Sequence, residues 1–258
     1  GSCCEGRIVS SQEAKFEVVQ TGSIGRGPSF NIKVADKSKF PDAPPREEEV
    51  IAINERKLEF SKLNSKDIIN AFTAEGMEGL LSRPQLKRAF LNLGLPENDL
   101  TSPDAPFYQL LAKIKNEKKL YDIRKMALLG LLLGKGSNLE KARLLFKQYD
   151  SGSSGSLDTG RVELMLIEIM DLSANIIPDI AIGEGADYLT KEEEDTYEGR
   201  LRAGLENASK EAKRILISRG QVSESEFVAK MSDYKLPLSK LLSSSGTRAF
   251  IRSFSNAS

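Results

Sequence analysis

One short outline recurs along this chain and limits what it can fold into. A glycine is followed two positions on by an aliphatic residue, then by a helix-capping residue, and soon by an apolar residue that opens a helical stripe. It occurs at Gly79, Leu81, Ser82 and Leu86, at Gly155, Leu157, Asp158 and Val162, and at Gly220, Val222, Ser223 and Phe227. Glycine supplies the left-handed backbone that other residues adopt only at a cost. Ser82-Arg-Pro-Gln85 and Ser223-Glu-Ser-Glu226 are S-x-x-E/Q capping boxes, the signature of a helix start. Each copy therefore predicts a sharp turn between two helices. A fourth copy fits less closely: Phe107 to Ile114 would enter it, Met126 to Leu133 would leave it, and Lys119 stands where the glycine belongs.

Apolar periodicity supports helices around these turns. Ala142, Leu145, Phe146 and Tyr149 fall at i, i+3, i+4 and i+7, and Leu86, Phe90 and Leu93 make a similar stripe. No alternating strand pattern persists over a comparable length, so the body reads as all-α. Residues 1–45 form an expected extended N-terminal arm, punctuated by glycine and proline. Residues 46–134 and 135–234 are expected as two lobes of two units each. The second contains an insertion at 173–200, where Pro178 and two glycines precede a Thr190-Lys-Glu-Glu193 cap. Residues 235–258 are a tail that alternates basic and apolar residues. It reads as a partner-binding helix, a membrane-surface helix, a plug for the protein's own groove, or a disordered end.

Composition narrows the chemistry. Lys plus Arg and Asp plus Glu balance at 37 each, which gives no basic footprint for nucleic acid. The chain has no histidine, the commonest general base and zinc ligand. Its two cysteines, Cys3 and Cys4, are adjacent and cannot staple distant segments. No secretory signal is read, and a reducing, cytoplasmic compartment is expected. Gly1 is placed for myristoylation and Cys3 and Cys4 for palmitoylation, which would attach the protein to a membrane. The other reading of Gly1-Ser2 is a remnant of cloning. No apolar run approaches the roughly 20 residues needed to span a bilayer.

The segment Phe146 to Arg161 carries the outline of a calcium loop. Such a loop takes an acid at position 1, a glycine at 6 and a bidentate Glu at 12. Asp150 stands at position 1, Ser154 at 5, Ser156 at 7, Asp158 at 9, and Arg161 at 12. Asp150, Ser154, Ser156 and Asp158 are therefore the candidate metal ligands, and Arg161 opposes an ion where two carboxylate oxygens should close on it. The other three copies lack an acid at position 1, where Ala74, Ile114 and Ile215 stand. Tight calcium binding is not expected at any loop, and weak binding only at this one. Two further motifs have structural readings: Gly134-Lys-Gly-Ser lacks the phosphate-loop spacing and reads as a helix stop, and Glu192-Glu-Glu-Asp195 reads as a solvated first helical turn.

Together these features resemble the EF-hand superfamily, in particular the calcineurin-B-like and neuronal calcium sensor proteins, with degenerate calcium loops. The best-matching segment runs from Lys125 to Met170, through Gly134-Lys-Gly-Ser-Asn-Leu-Glu-Lys and Ala142 to Asp150. The resemblance implies four EF-hand-like helix-loop-helix units in two paired lobes. It implies a non-catalytic adaptor or scaffold that binds a helical or extended segment of a protein partner largely without calcium. The alternative is a calcium sensor, or the regulatory subunit of an enzyme, with weak binding at the third loop. No catalytic residue, small-molecule substrate or nucleic acid is expected, and no cofactor beyond weakly held calcium. Phe72, Phe90, Met126, Phe146, Met165, Met170, Phe227 and Met231 are expected in the core, some shared with a peptide groove. A ciliary or cytoskeletal home is a further alternative, by analogy alone.

Overall fold

The computed structural model describes residues 45–183, 189–217 and 220–255. These residues are mostly helical, and the described strands are only two or three residues long. Residues 1–44, which make up all but the last residue of the expected arm 1–45 and include Gly1, Cys3 and Cys4, lie outside them.

All four expected turns carry a left-handed residue between consecutive helices. Helix α1 (Arg46–Lys57) and a 3-10 turn (Glu59–Lys62) lead to α2 (Ser65–Glu75), strand β1 (Leu80–Leu81) and α3 (Arg83–Asn92). After the short α4 (Asn98–Thr101), α5 (Pro106–Ile114) leads to β2 (Tyr121–Asp122) and α6 (Ile123–Leu133). Then α7 (Asn138–Tyr149) precedes β3 (Ser156–Asp158) and α8 (Thr159–Asp171). Farther on, α10 (Lys191–Leu216) precedes β4 (Gln221–Ser223) and α11 (Glu224–Ser232). The turn residues Gly79, Lys119, Gly155 and Gly220 have φ of 78°, 60°, 72° and 82°. Lys119 takes this conformation without glycine's freedom, in a tight turn where the side chain of Asn116 accepts from the Leu120 N–H at 2.9 Å.

Two-residue strands have no stability of their own, and these exist because they join the turns in pairs. β1 pairs antiparallel with β2, placing Leu81 opposite Tyr121, and β3 pairs with β4, placing Leu157 opposite Val222. The two ribbons match in detail. The carbonyl of Gly79 accepts from Ile123 N–H at 3.0 Å, and that of Gly155 accepts from Glu224 N–H at 3.0 Å. The residue that follows each aliphatic position caps the outgoing helix: Ser82, Asp122, Asp158 and Ser223 are the N-cap residues of α3, α6, α8 and α11. Of the two sequence-read boxes, Gln85 reaches back to the Ser82 N–H at 2.8 Å. Ser223 accepts from Glu226 N–H, and the Glu226 carboxylate meets Lys230 at 2.6 Å.

Packing follows the same pairing. α2 lies against α6, and α7 against α11. In the first pair, Phe60, Phe72, Phe90 and Phe107 interlock, with centroids 4.6 Å apart for Phe60 and Phe107. In the second, Phe146 meets Phe227 at 5.4 Å. Gly130 permits the close approach of α6 to α2, since a Cβ there would stand 2.5 Å from Ile68 Cγ2. The buried side chains of both pairs form one continuous core, with α6 packed on α7 and α8. The boundary expected at 134/135 falls in the connection between α6 and α7. Gly134 ends α6 and Ser137 caps α7, so Gly134-Lys-Gly-Ser is a helix stop followed by a helix start.

Three segments add to the sequence reading. The insertion does not break at Ser173: α8 runs on through a π turn (Leu172–Ile176) into α9 (Ile177–Gly183). The Ile177 N–H closes this turn on the Leu172 carbonyl, and Pro178, which has no N–H, leaves the next carbonyl, that of Ser173, without a donor from the same ladder. The Thr190 cap opens one helix of 26 residues that also serves as the incoming helix of the last unit. α1 lies within residues 46–134 yet packs on α9, with Asn54 Nδ2 donating to the Ala181 carbonyl at 2.6 Å. The tail is ordered through residue 255, as a 3-10 segment (Pro237–Leu242) and α12 (Ser244–Arg252).

Candidate functional site

The four loops are unequal as places for an ion. Ala74, Ile114 and Ile215 lie within α2, α5 and α10 and carry no side-chain oxygen to offer an ion. The first is reduced to a two-residue turn: Met77 and Leu80 exchange backbone hydrogen bonds of 3.0 and 2.9 Å around Glu78 and Gly79, both with positive φ. Only in the third does the first-position residue, Asp150, stand clear of its helix.

The third loop gathers Asp150, Ser154 and Ser156 and satisfies them internally. Asp150 Oδ1 accepts from the backbone N–H and the hydroxyl of Ser154, at 2.8 and 2.7 Å, and Oδ2 accepts from Gly155 N–H at 2.8 Å. The Ser154 hydroxyl is also 2.8 Å from the Ser156 carbonyl. Asp158 is turned to its helix, with Oδ1 accepting from Arg161 N–H at 2.8 Å. The Arg161 guanidinium stands 3.7 Å from Asp150 Oδ1 and 3.8 Å from Asp158 Oδ2, at ion-pair distance from both. The Ser154 hydroxyl, together with the two N–H donors and the Arg161 charge, holds the Asp150 carboxyl below its ordinary range against the opposing effect of desolvation. Where a calcium loop closes with a bidentate Glu, this one sets a cation of the chain facing both acids. Among the described residues, no group of three or more Asp, Glu, His or Cys side chains converges to hold a metal.

Beside this loop, Tyr149 donates to Glu168 Oε2 at 2.5 Å, and Arg124 Nη2 meets Glu168 Oε1 at 3.0 Å. Arg124 comes from α6, so this cluster ties the first pair of units to the second. Phe72, Phe90, Met126, Phe146, Met165, Met170, Phe227 and Met231, expected in the core with some shared with a groove, are all buried.

The trough of the second pair is filled by the chain itself. The 3-10 segment packs on α7 and α11, and α12 packs on α10, α8 and the π turn. Leu238, Leu241, Leu242, Phe250 and Ile251 are buried there. Gly204 of α10 lets α12 approach closely, since a Cβ there would meet the Ile251 carbonyl oxygen at 2.1 Å.

Arg248 of α12 is fully buried and was not read as a functional residue from the sequence. Its guanidinium holds Glu48 Oε1 through Nη2 and Nε, at 2.6 and 2.9 Å, and Glu55 Oε1 through Nη1 at 2.6 Å. Nη1 also donates to the Ser173 carbonyl at 3.3 Å, the oxygen that Pro178 cannot serve. Glu48 Oε2 accepts from Tyr197 and from Arg252, each at 2.5 Å. Two carboxylates thus face two guanidinium groups. Burial alone would raise the Glu48 carboxyl, but the charges of Arg248 and Arg252 and hydrogen bonds from Arg248 and Tyr197 hold it below the usual range. A signal was present: Ser244, Arg248 and Arg252 lie at i, i+4 and i+8, and Glu48 and Glu55 at i and i+7, one face of a helix in each case.

No family model matches the chain, and a search of curated proteins finds no match. Among the described residues, no helix is long and apolar enough to cross a membrane.

Proposed function

We propose that this chain is an EF-hand-like, non-catalytic adaptor or scaffold that binds a segment of a protein partner independently of calcium. The observation that carries the reading is the pairing of left-handed turns through Leu81–Tyr121 and Leu157–Val222 while a resident cation, Arg161, faces Asp150 and Asp158 in the third loop. In a calcium-responsive unit the metal supplies the positive charge that gathers the loop's oxygens. Here N–H donors and a guanidinium supply it permanently. The trough over α7, α8, α10 and α11 already holds an amphipathic segment, the chain's own, which supports recognition of a similar segment from a partner. The absence of histidine agrees with a non-catalytic role. Attachment to a membrane through Gly1, Cys3 and Cys4 belongs to the same proposal, and the intact mass of the native N-terminus tests it.

Isothermal titration of the full chain with calcium tests independence from the metal. The expected result is no saturable heat up to about 1 mM, the weak end of natural calcium modules. A micromolar dissociation constant would instead establish the sensor reading, which the position of Asp150 just past the end of α7 favours.

A further inference from the structure

The helix that clamps the C-terminal segment is held in an unusual way. Of the five residues that α1 buries, four are polar: Glu47, Glu48, Asn54 and Glu55, with Ile51 the exception. Its contacts to the body include one side-chain hydrogen bond to α9 and the paired charges on Arg248. Paired buried charges give geometric selection more than net stability, because desolvation offsets their attraction. A helix placed by such contacts, with Ile51 its one fully buried apolar side chain, is specific in position.

We propose that α1 and the C-terminal segment 237–254 form a two-part latch: the segment is the resident occupant of the trough over α7, α8, α10 and α11, and α1 locks it there through Glu48 and Glu55. The inference rests on the reading of that trough as a binding surface. Three features single out the segment as a displaceable occupant rather than ordinary core. It packs on α7, α8, α10 and α11, helices of helix-loop-helix units whose strand pairing does not involve it. Its apolar anchors, Leu238, Leu241, Leu242, Phe250 and Ile251, all lie within one short stretch. Its charged anchor, Arg248, is met by carboxylates of α1 rather than by the trough. A competing partner is then an amphipathic segment with closely spaced leucine or phenylalanine anchors and an arginine to meet Glu48 and Glu55.

The test uses the full chain, its Glu48→Gln/Glu55→Gln variant, hydrogen exchange read by mass spectrometry, and a fluorescent synthetic peptide of residues 236–255 as probe. The expected result is exchange at least about tenfold faster in α1 and 237–252 of the variant, with α2 to α8 unchanged, and probe uptake by the variant but not the wild type. Exchange that rises equally across α2 to α8, or nowhere, overturns the latch, as does equal uptake by both proteins. Local exchange without uptake leaves the latch standing and overturns the binding reading beneath it. Gly204→Ala displaces α12 by steric contact alone and gives a second route to the same readouts if the charge variant does not fold.

Discussion

Lys141 shows how a single residue carries a stability signature that the sequence hides. On α7 it lies on the face turned to the C-terminal segment, where its ammonium donates to the Leu242 carbonyl at 3.2 Å. Burial pushes it down to about 8 from an ordinary 10.5. The unfolded chain therefore binds this proton more tightly than the fold does. Above 10.5 the side chain is neutral in both states; as pH falls toward 8 the fold pays an increasing penalty, and below that the penalty is constant. We predict that Lys141→Met raises stability by about 1–3 kcal/mol near neutral pH and flattens the alkaline part of the stability profile. Urea denaturation at a series of pH values checks it. The sequence displays a lysine in an amphipathic helix, which reads as a solvated or snorkelling residue. Its burial comes from a segment 101 residues away, which local pattern does not contain. Arg248 hid for the same reason, while Gly79, Gly155 and Gly220 were legible because a left-handed turn is a local demand.

At the scale of elements, α10 offers an internal control. A Cβ at Gly199 meets no atom within 4 Å, while one at Gly204 strikes the Ile251 carbonyl oxygen. Gly199→Ala should stabilise by about 0.5–1 kcal/mol through helix propensity. Gly204→Ala should destabilise by roughly 1–3 kcal/mol, because overpacking against α12 outweighs the same gain. Thermal unfolding of the two variants reads opposite shifts. Acid should act at the other side of α12. Glu48 titrates below its ordinary 4.5 in the fold, so its contribution is present above that value and lost as pH falls through the folded one. Exchange measured as the pH is lowered below 4.5 should therefore show α1 and α12 released before α2 and α6. Helices with an apolar stripe and a cap, such as α3, α7 and α8, were legible from sequence. The junction of α8 and α9 was not, because proline and glycine mark breaks in general, and a buried arginine from elsewhere is what satisfies the carbonyl left over by the π turn. The strands were too short to show a period of two.

Across the described residues, the four turns and their two ribbons frame one core, and Arg161 faces both acids of the third loop. The proposed calcium independence has a direct thermodynamic consequence. A site with a dissociation constant near 10 μM, saturated at about 1 mM calcium, would add roughly 2.7 kcal/mol to stability. In a chain of this size that is a rise of about 5–10 °C in Tm. Arg161→Glu places a carboxylate at the closing position and removes the resident cation, leaving Asp150 and Asp158 facing a third acid. The decisive measurement is thermal unfolding of the full chain and of this variant, each in chelator and in about 1 mM calcium. The account predicts a wild-type Tm unmoved by calcium, and a variant that melts lower in chelator and recovers when calcium is added. A wild-type Tm that climbs by several degrees with calcium, or a variant as stable in chelator as the wild type, would contradict it.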